Sequence, residues 1–399
     1  MEKSLTLGGT RWPRTLSFFS GIGMVASSLL TVQHYFKANF PESIFEGSFC
    51  DISAFFNCDS SAFSPISQIL GIPLGYFGLV VGMLVALGAL FPSESFERTN
   101  TFIAFFNALG AVALFLYTVF VLGSLCLLCS GFYLFSLLSL FLFWRYGIGR
   151  SEGRFPGRYL QPSLKLLLTF SVISALGAYG MMALHDAKED AQAGVSLSMV
   201  KQFYELPVVG NPSFISPYWT ARATEKFEDA PIHVVEYVDL LCPDCLFLAQ
   251  QLDELKEEFA GKINIAFQFF PLEGKCNNVV DKNLHPGACD ISLYAMYDPS
   301  KFLDIHDETF VNFRAARSPK WRLELAARYG VTEAINDPQT QDLLQKIILT
   351  GAENEKTSDR FAHGIRSTPT MIINGRMIIG TLPLEHMRAI FLALLEEHE

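Results

Sequence analysis

Eight cysteines in a chain of 399 residues fall into four pairs, and two of the pairs have Cys-x-x-Cys spacing. Cys126-Leu127-Leu128-Cys129 lies inside a long apolar tract, whereas Cys242-Pro243-Asp244-Cys245 follows a strand-like run in a charged half. Cys50/Cys58 and Cys276/Cys289 make up the rest. Two thiols one turn apart at a helix start can trade a disulfide for two electrons, because the helix end favours the attacking thiolate. One such motif in lipid and another in water reads as an electron relay rather than a set of staples.

The composition shows where such motifs have to sit. Half of the residues are hydrophobic, 36 are Phe and only 18% are charged, which is too apolar for an ordinary soluble protein of this length. Charges are rare before about residue 185 and recur every few residues after it, so a membrane half precedes a soluble domain. The net charge of −10 resides mostly in the second half and argues against nucleic acid as a partner. An even cysteine count fits a compartment where disulfides persist.

A helix crossing the hydrocarbon needs about 20 apolar residues. Leu16 to Gln33 supplies a first span, expected to be retained rather than cleaved because no small-residue cleavage site follows. Ser60 to Ser93 carries no charge, and Pro65, Gly71 and Pro73 break its start. It reads as a short re-entrant or interfacial helix and then a span from about Pro73 to Phe91. Thr101 to Trp144 is 44 residues without a charge. At about 1.5 Å per residue it is roughly twice the bilayer core, so it must be two helices with a turn near Gly123-Ser124. Leu166 to Leu184 is the fifth span.

Basic residues orient the chain. Lys3, Arg11 and Arg14 precede the first span, and Arg145, Arg150, Arg154, Arg158 and Lys165 fill the link between the fourth and fifth. The N-terminus and that link are therefore expected in the cytoplasm. Cys50/Cys58, Cys126/Cys129 and the soluble domain then all face the opposite side. An even number of spans would have separated them. The expected domains are a four-helix membrane domain at 1–150, a link and fifth span at 151–185, a linker at 186–225 and a globular domain at 226–399.

In the last of these, Ile232 to Val238 reads as a strand, followed by Cys242-x-x-Cys245 and a helix through about Phe259. Ile263 to Phe270 is a second strand, and residues 289–360 are mostly helical by pattern. Thr368-Pro369 enters the strand Thr370 to Ile373, Asn374-Gly375 turns it into Arg376 to Gly380, and a helix closes the chain. This order resembles the thioredoxin superfamily, and its helical insert the DsbA-like branch. The resemblance implies that Pro369 is cis and shapes a substrate groove beside the cysteines. It makes Cys242 the exposed, attacking sulfur and Cys245 the resolving thiol. Glu236, six residues before Cys242, matches the family's buried acid; the alternative is an ordinary strand residue. Asp244 places a negative charge beside the thiolate, so a weaker oxidant than DsbA is expected. Cys276 and Cys289 flank a Pro/Gly-rich stretch and read as a structural disulfide that clips it; their spacing fits no common zinc finger, and no metal site is expected.

The first 150 residues resemble the vitamin K epoxide reductase family. The matching features are Cys50 and Cys58 in the first outer loop, Phe63-Ser64 in the short helix after it, Cys126-x-x-Cys129 opening the fourth span, and Tyr133 one turn later. The whole chain is similar to a bacterial branch with a fifth span and a fused thioredoxin-like domain. The implied fold is an all-α transmembrane bundle followed by an α/β thioredoxin-like domain with a helical insertion. The implied activity is that of a quinone-dependent thiol oxidase, acting on reduced exported proteins at the inner membrane. Electrons would pass from Cys242/Cys245 to Cys50/Cys58, then to Cys126/Cys129, then to a quinone of the ubiquinone or menaquinone type. Cys129, Tyr133, Phe63 and Ser64 are the expected quinone contacts. The Asn of animal members aligns with Leu74, which argues against epoxide chemistry. Two competing readings are a conduit carrying reducing power outward, and a membrane-anchored chaperone whose disulfides are structural.

Overall fold

The computed structural model describes residues 11–44, 58–122, 124–147, 161–280, 283–353 and 364–398. Cys50, Gly123 and most of the basic link after the fourth span lie outside the described residues. The chain divides into two compact units, one of residues 1–40 and 48–191, the other of residues 41–47 and 192–399.

The first unit is built from apolar helices with hydrophobic residues on every face, as expected of chains solvated by lipid. They are α1 (Arg11–Asn39), α3 (Leu74–Leu90), α4 (Glu94–Tyr117), α5 (Leu127–Tyr146) and α6 (Leu164–Asp190). A π-helical turn, Thr118–Leu122, continues α4. Among the described residues, four helices are long and apolar enough to cross a membrane; α3, with 17 residues, is shorter. A four-residue helix α2 (Asp59–Ala62) and a small hairpin of β1 (Gln68–Ile69) and β2 (Ile72–Pro73) stand where the short re-entrant helix was expected.

Small residues let the α1 and α3 backbones touch. A Cβ on Gly21 would lie 2.6 Å from the Ala86 backbone nitrogen, and one on Gly82 would lie 2.8 Å from that of Val25. Ser93 caps α4 by accepting from the Phe96 N–H, and Glu94 and Glu97 complement the positive end of that helix. No residue of α6 is buried within the unit, but the Tyr76 hydroxyl donates to the Ser174 carbonyl at 2.7 Å and ties α6 to α3.

The second unit is a five-stranded sheet between helices. Its strands are β3 (Trp219–Arg222), β4 (Ile232–Val238), β5 (Ile263–Phe269), β6 (Thr370–Ile373) and β7 (Arg376–Ile379), in the order β3-β5-β4-β6-β7. Only β4 and β5 pair in parallel, which requires a crossover; α8 (Pro243–Glu258) makes it. β4 is central, and six of its seven residues are buried. One face, with Val235, Tyr237 and Phe267, packs on the helical insert of α9 (Ala288–Tyr297), α10 (Phe302–Val311), the short α11 (Phe313–Ala316), α12 (Pro319–Tyr329) and α13 (Pro338–Glu353). The other face, with Val234, Ile265 and Met371, packs on α8 and on the closing helix α14 (Leu384–His398).

The stretch 186–225, expected to be a linker, is instead folded. α6 runs on to Asp190, and α7 (Gln192–Glu205) buries Met199 and Phe203 in the cluster that holds α14. β3 is an edge strand antiparallel to β5, with Trp219 opposite Ala266. Prolines at 207, 212 and 217 and a mixed polar composition hid these short elements, whose stability comes from partners remote in sequence.

Candidate redox site

In the second unit, β4 delivers the chain to the sheet end, and Cys242 becomes the N-cap of α8 in an extended conformation, with Pro243 pre-set for the first turn. Cys242 and Cys245 are both free thiols. The Cys242 Sγ lies 3.5 Å from the carbonyl oxygen of Thr368, the residue joined to Pro369 by a cis peptide bond. Cys242, expected to be exposed, is buried at 3% exposure and belongs to an apolar cluster with Leu241, Leu272 and Ala288. Burial pushes the Cys242 thiol up, but the hydrogen bond with Cys245 and the charge of His285 outweigh it, and the net shift is below the ordinary value; Asp244 and Asp239 work against it. Cys245 is held well above the ordinary thiol value by burial and by its neighbour Cys242. The two sulfurs are thus unequal: one favours the thiolate, the other keeps its proton.

Glu236 is buried on β4 and accepts from the Thr220 hydroxyl at 3.2 Å. Desolvation pushes its carboxyl up to about 7, and its strongest charged neighbours are Lys256 and Asp253 on α8. A second buried acid, which the sequence reading passed over, stands closer to the thiols in the chain. Asp239 is 0% exposed and accepts at 2.7 Å from the Leu241 N–H, the Leu272 N–H and His285 Nδ1. The Cys242 N–H donates to its main-chain oxygen at 3.0 Å. A carboxylate just past a central strand and three residues before a Cys-x-x-Cys was a readable signal. His285 lies in the loop that Cys276 and Cys289 close; those two are joined in a disulfide of 2.08 Å and are not free to ligate a metal.

In the first unit, Cys126 caps α5, its sulfur accepting from the Cys129 N–H at 3.3 Å. Cys126 and Cys129 are free thiols, while Cys58 is disulfide-bonded. Cys58 and Cys126 are both buried and pack together, with Leu128 and Cys129 against them. All three cysteines line an apolar cavity of about 200 Å³. Tyr133, Ser64 and Leu74 also line it; Phe63, named with them from the sequence, does not. Ser64 Oγ is 3.3 Å from the Tyr117 hydroxyl.

Two polar residues missed in the sequence face the same cavity. Asn107 of α4 donates to Ser136 Oγ at 2.9 Å and brings a carboxamide that the Leu74 position lacks. His34, near the end of α1, is buried with Nε2 2.9 Å from Asp59 Oδ1. An ionisable residue inside a membrane helix is itself a signal of function.

Comparison with known proteins agrees with this division. Residues 14–144 match the vitamin K epoxide reductase family, and residues 227–391 match a thioredoxin family. A probable disulfide bond formation protein D from Bacillus cereus is 28% identical over 181 residues, 42% of this chain and 76% of that protein. A Na(+)/H(+) antiporter NhaA 1 from Mycolicibacterium gilvum is 25% identical over 151 residues, 37% of this chain; the chain spans only 22% of that protein. Among solved structures, α-DsbA1 of Wolbachia pipientis is 16% identical with a TM-score of 0.34, covering 47% of this chain and 97% of that one. ScsC of Proteus mirabilis is 13% identical with a TM-score of 0.33, covering 57% and 95%. With its membrane-length helices, the first unit is a multi-pass membrane unit. The chain therefore carries a vitamin K epoxide reductase family domain at residues 14–144, followed by a thioredoxin-like domain at residues 227–391.

Proposed function

We propose that this protein is a membrane thiol oxidase that forms disulfide bonds in exported proteins and passes the electrons to a quinone. The observation that carries the reading is a disulfide beside a dithiol: bonded Cys58 packs on the thiol Cys126, and Cys129 shares their cavity. Thiol–disulfide exchange needs that juxtaposition, because a thiolate must reach a disulfide sulfur in line.

In this scheme a reduced protein gives two electrons to the Cys242–Cys245 disulfide. Cys242 then attacks the Cys50–Cys58 disulfide, and Cys245 resolves the mixed disulfide. Cys58, freed as a thiol with Cys50, returns to the disulfide state by exchange with an oxidised Cys126–Cys129 pair. Each exchange oxidises one dithiol and reduces one disulfide. The covalent tether holds the soluble partner at a local concentration of about a millimolar, so tight docking is unnecessary.

The cavity suits a quinone: it is mainly apolar, with the Tyr133 hydroxyl, the Asn107 carboxamide and the Ser64 hydroxyl as polar contacts and Cys129 at its wall. A bound quinone would supply a sink for two electrons and two protons. Tyr133 and Asn107 would orient it by hydrogen bonding. Of the cysteines that line the cavity, Cys129 would be the thiol that passes electrons to it, and Cys126 would close the disulfide. The N-terminus is assigned to the cytoplasm and the thioredoxin-like domain to the outer face of the inner membrane, on the basic residues flanking the spans.

Anaerobic mixing of the purified protein with a dithiol and a quinone, followed by quinone absorbance, tests the scheme. Cys129→Ala should abolish quinone reduction. Cys242→Ala should leave reduction by a small dithiol largely intact and stop oxidation of a protein substrate. Wild-type behaviour of Cys242→Ala towards a protein substrate would overturn the relay order.

A further inference from the structure

The residues between the soluble cysteines are Pro243 and Asp244, so the motif offers its own thiolate no cation. Asp239 on one side and Asp244 on the other both oppose ionisation of Cys242. The loop closed by the Cys276–Cys289 disulfide supplies what the motif lacks. His285 sits in that loop with 5% exposure. Its Nδ1 lies 2.7 Å from Asp239 Oδ2, and its main-chain N–H donates to the Leu272 carbonyl at 3.2 Å. The same Asp239 oxygen accepts from the Leu272 N–H, so one carboxylate locks the histidine, the loop after β5 and the approach to Cys242 together.

The described residues that follow it leave the ring little freedom. The Ala288 N–H donates to the His285 carbonyl at 3.0 Å, and the Cys289 N–H donates to Glu273 Oε2 at 2.9 Å. Gly287, two residues on, has φ +95°, and a Cβ there would run into the guanidinium of Arg322. Arg322 in turn donates to the carbonyls of Ala316 and Arg317. Among the described residues, the charged and titratable groups acting on this corner are Asp239, Asp244, Cys242, Cys245, His285 and Arg317. Arg317, the other cation, is half-buried against the Phe313 ring; His285 is the buried one.

We propose that His285, held by Asp239 inside the disulfide-closed loop, is the positioning cation that stabilises the Cys242 thiolate and so makes the Cys242–Cys245 pair an oxidant. This rests on the reading of that pair as the redox couple. Burial lowers the affinity of the ring for a proton, but the charge and hydrogen bond of Asp239 outweigh burial and raise its pKa to about 9, so the ring is a cation at neutral pH. Reduction of the disulfide takes up two electrons and one proton. It leaves a Cys242 thiolate, whose charge His285⁺ offsets, and a Cys245 thiol, which keeps the proton. Stabilising the reduced side makes the disulfide easier to reduce, hence more oxidising.

The test uses the full chain with Cys50, Cys58, Cys126 and Cys129 replaced by Ala, so that the soluble pair alone reports. Ultraviolet thiolate absorbance gives the Cys242 titration, and equilibration with glutathione gives the redox constant. The parent should titrate below an ordinary thiol. H285Q should raise the Cys242 pKa by about one unit and make the pair about tenfold more reducing, about 30 mV. H285K, which keeps the charge, should stay within about threefold of the parent in the redox constant. A parent that never exchanges with glutathione would overturn the redox-couple reading itself. Exchange that H285Q leaves unchanged, or that H285K shifts as far as H285Q does, would overturn the role of His285 alone. If H285Q fails to fold, the parent titration decides: a Cys242 pKa at or above that of an ordinary thiol overturns the proposal.

Discussion

The Cys242 sulfur lies 3.5 Å from the carbonyl oxygen of Thr368, the residue before cis Pro369, and only 3% of Cys242 is exposed. The sulfur proposed to attack is therefore covered in this unit, and an extended substrate segment would have to compete for the Thr368 backbone to reach it. Cys245, still deeper at 1% exposure and with its thiol pushed well above the ordinary value, is in the proposed scheme the sulfur that resolves after Cys242 has reacted. Cys245→Ala should therefore accumulate a mixed disulfide between Cys242 and substrate, seen by non-reducing electrophoresis and mass spectrometry. The double variant with Cys242→Ala should show none.

Asp244 is one of the groups that push the Cys242 thiol up. Replacing it with His removes a repulsive charge and adds a donor two residues from Cys242. Asp244→His should be about tenfold more oxidising against glutathione, about 30 mV. An unchanged constant would show that Asp244 is screened.

Two buried groups make the second unit lose stability as pH rises. Glu236 has a folded pKa of about 7 against an ordinary 4.5, so the folded state holds its proton more tightly. Its contribution is fully present below pH 4.5 and is lost as pH rises through 7, a change of roughly 3 kcal/mol. His285, raised to about 9 from 6.5, contributes fully below pH 6.5 and loses its contribution through pH 9. Thermal unfolding across pH should show the decline flattened between 4.5 and 7 in Glu236→Gln. In His285→Gln the flattening should fall between 6.5 and 9.

The close approach of α1 and α3 leaves no room for a side chain at Gly21, whose Cβ would meet Ala86 backbone at 2.6 Å. Gly21→Ala should destabilise the membrane unit by about 1–3 kcal/mol, as overpacking does in other tightly packed interiors. Unfolding in detergent, with Gly180→Ala as the control at an open position, measures it.

Much of the architecture was legible in the residue order. Hydrocarbon must be crossed by continuous apolar helices, so uncharged tracts mark α3 to α5 directly. A central strand favours β-branched and aromatic residues, so Ile232–Val238 announced itself despite His233 and Glu236, and Thr368-Pro369, Asn374-Gly375 and the Cys-x-x-Cys are local signals whose geometry their own residue types dictate. By the same logic α7 and β3 were invisible: each is short, and each is stabilised by a partner far along the chain, α14 for one and β5 for the other.

The sites divide in the same way. Spacing alone marked Cys126/Cys129 and Cys242/Cys245, because the chemistry needs two sulfurs one helical turn apart. Only folding could bring Cys58 onto Cys126, Asn107 into the cavity that Leu74 also lines, or His285 onto Asp239 across 46 residues of chain. A covalent motif is written in neighbouring residues. A charge that tunes it acts through space in a desolvated interior, where the chain's path rather than its order sets the distance.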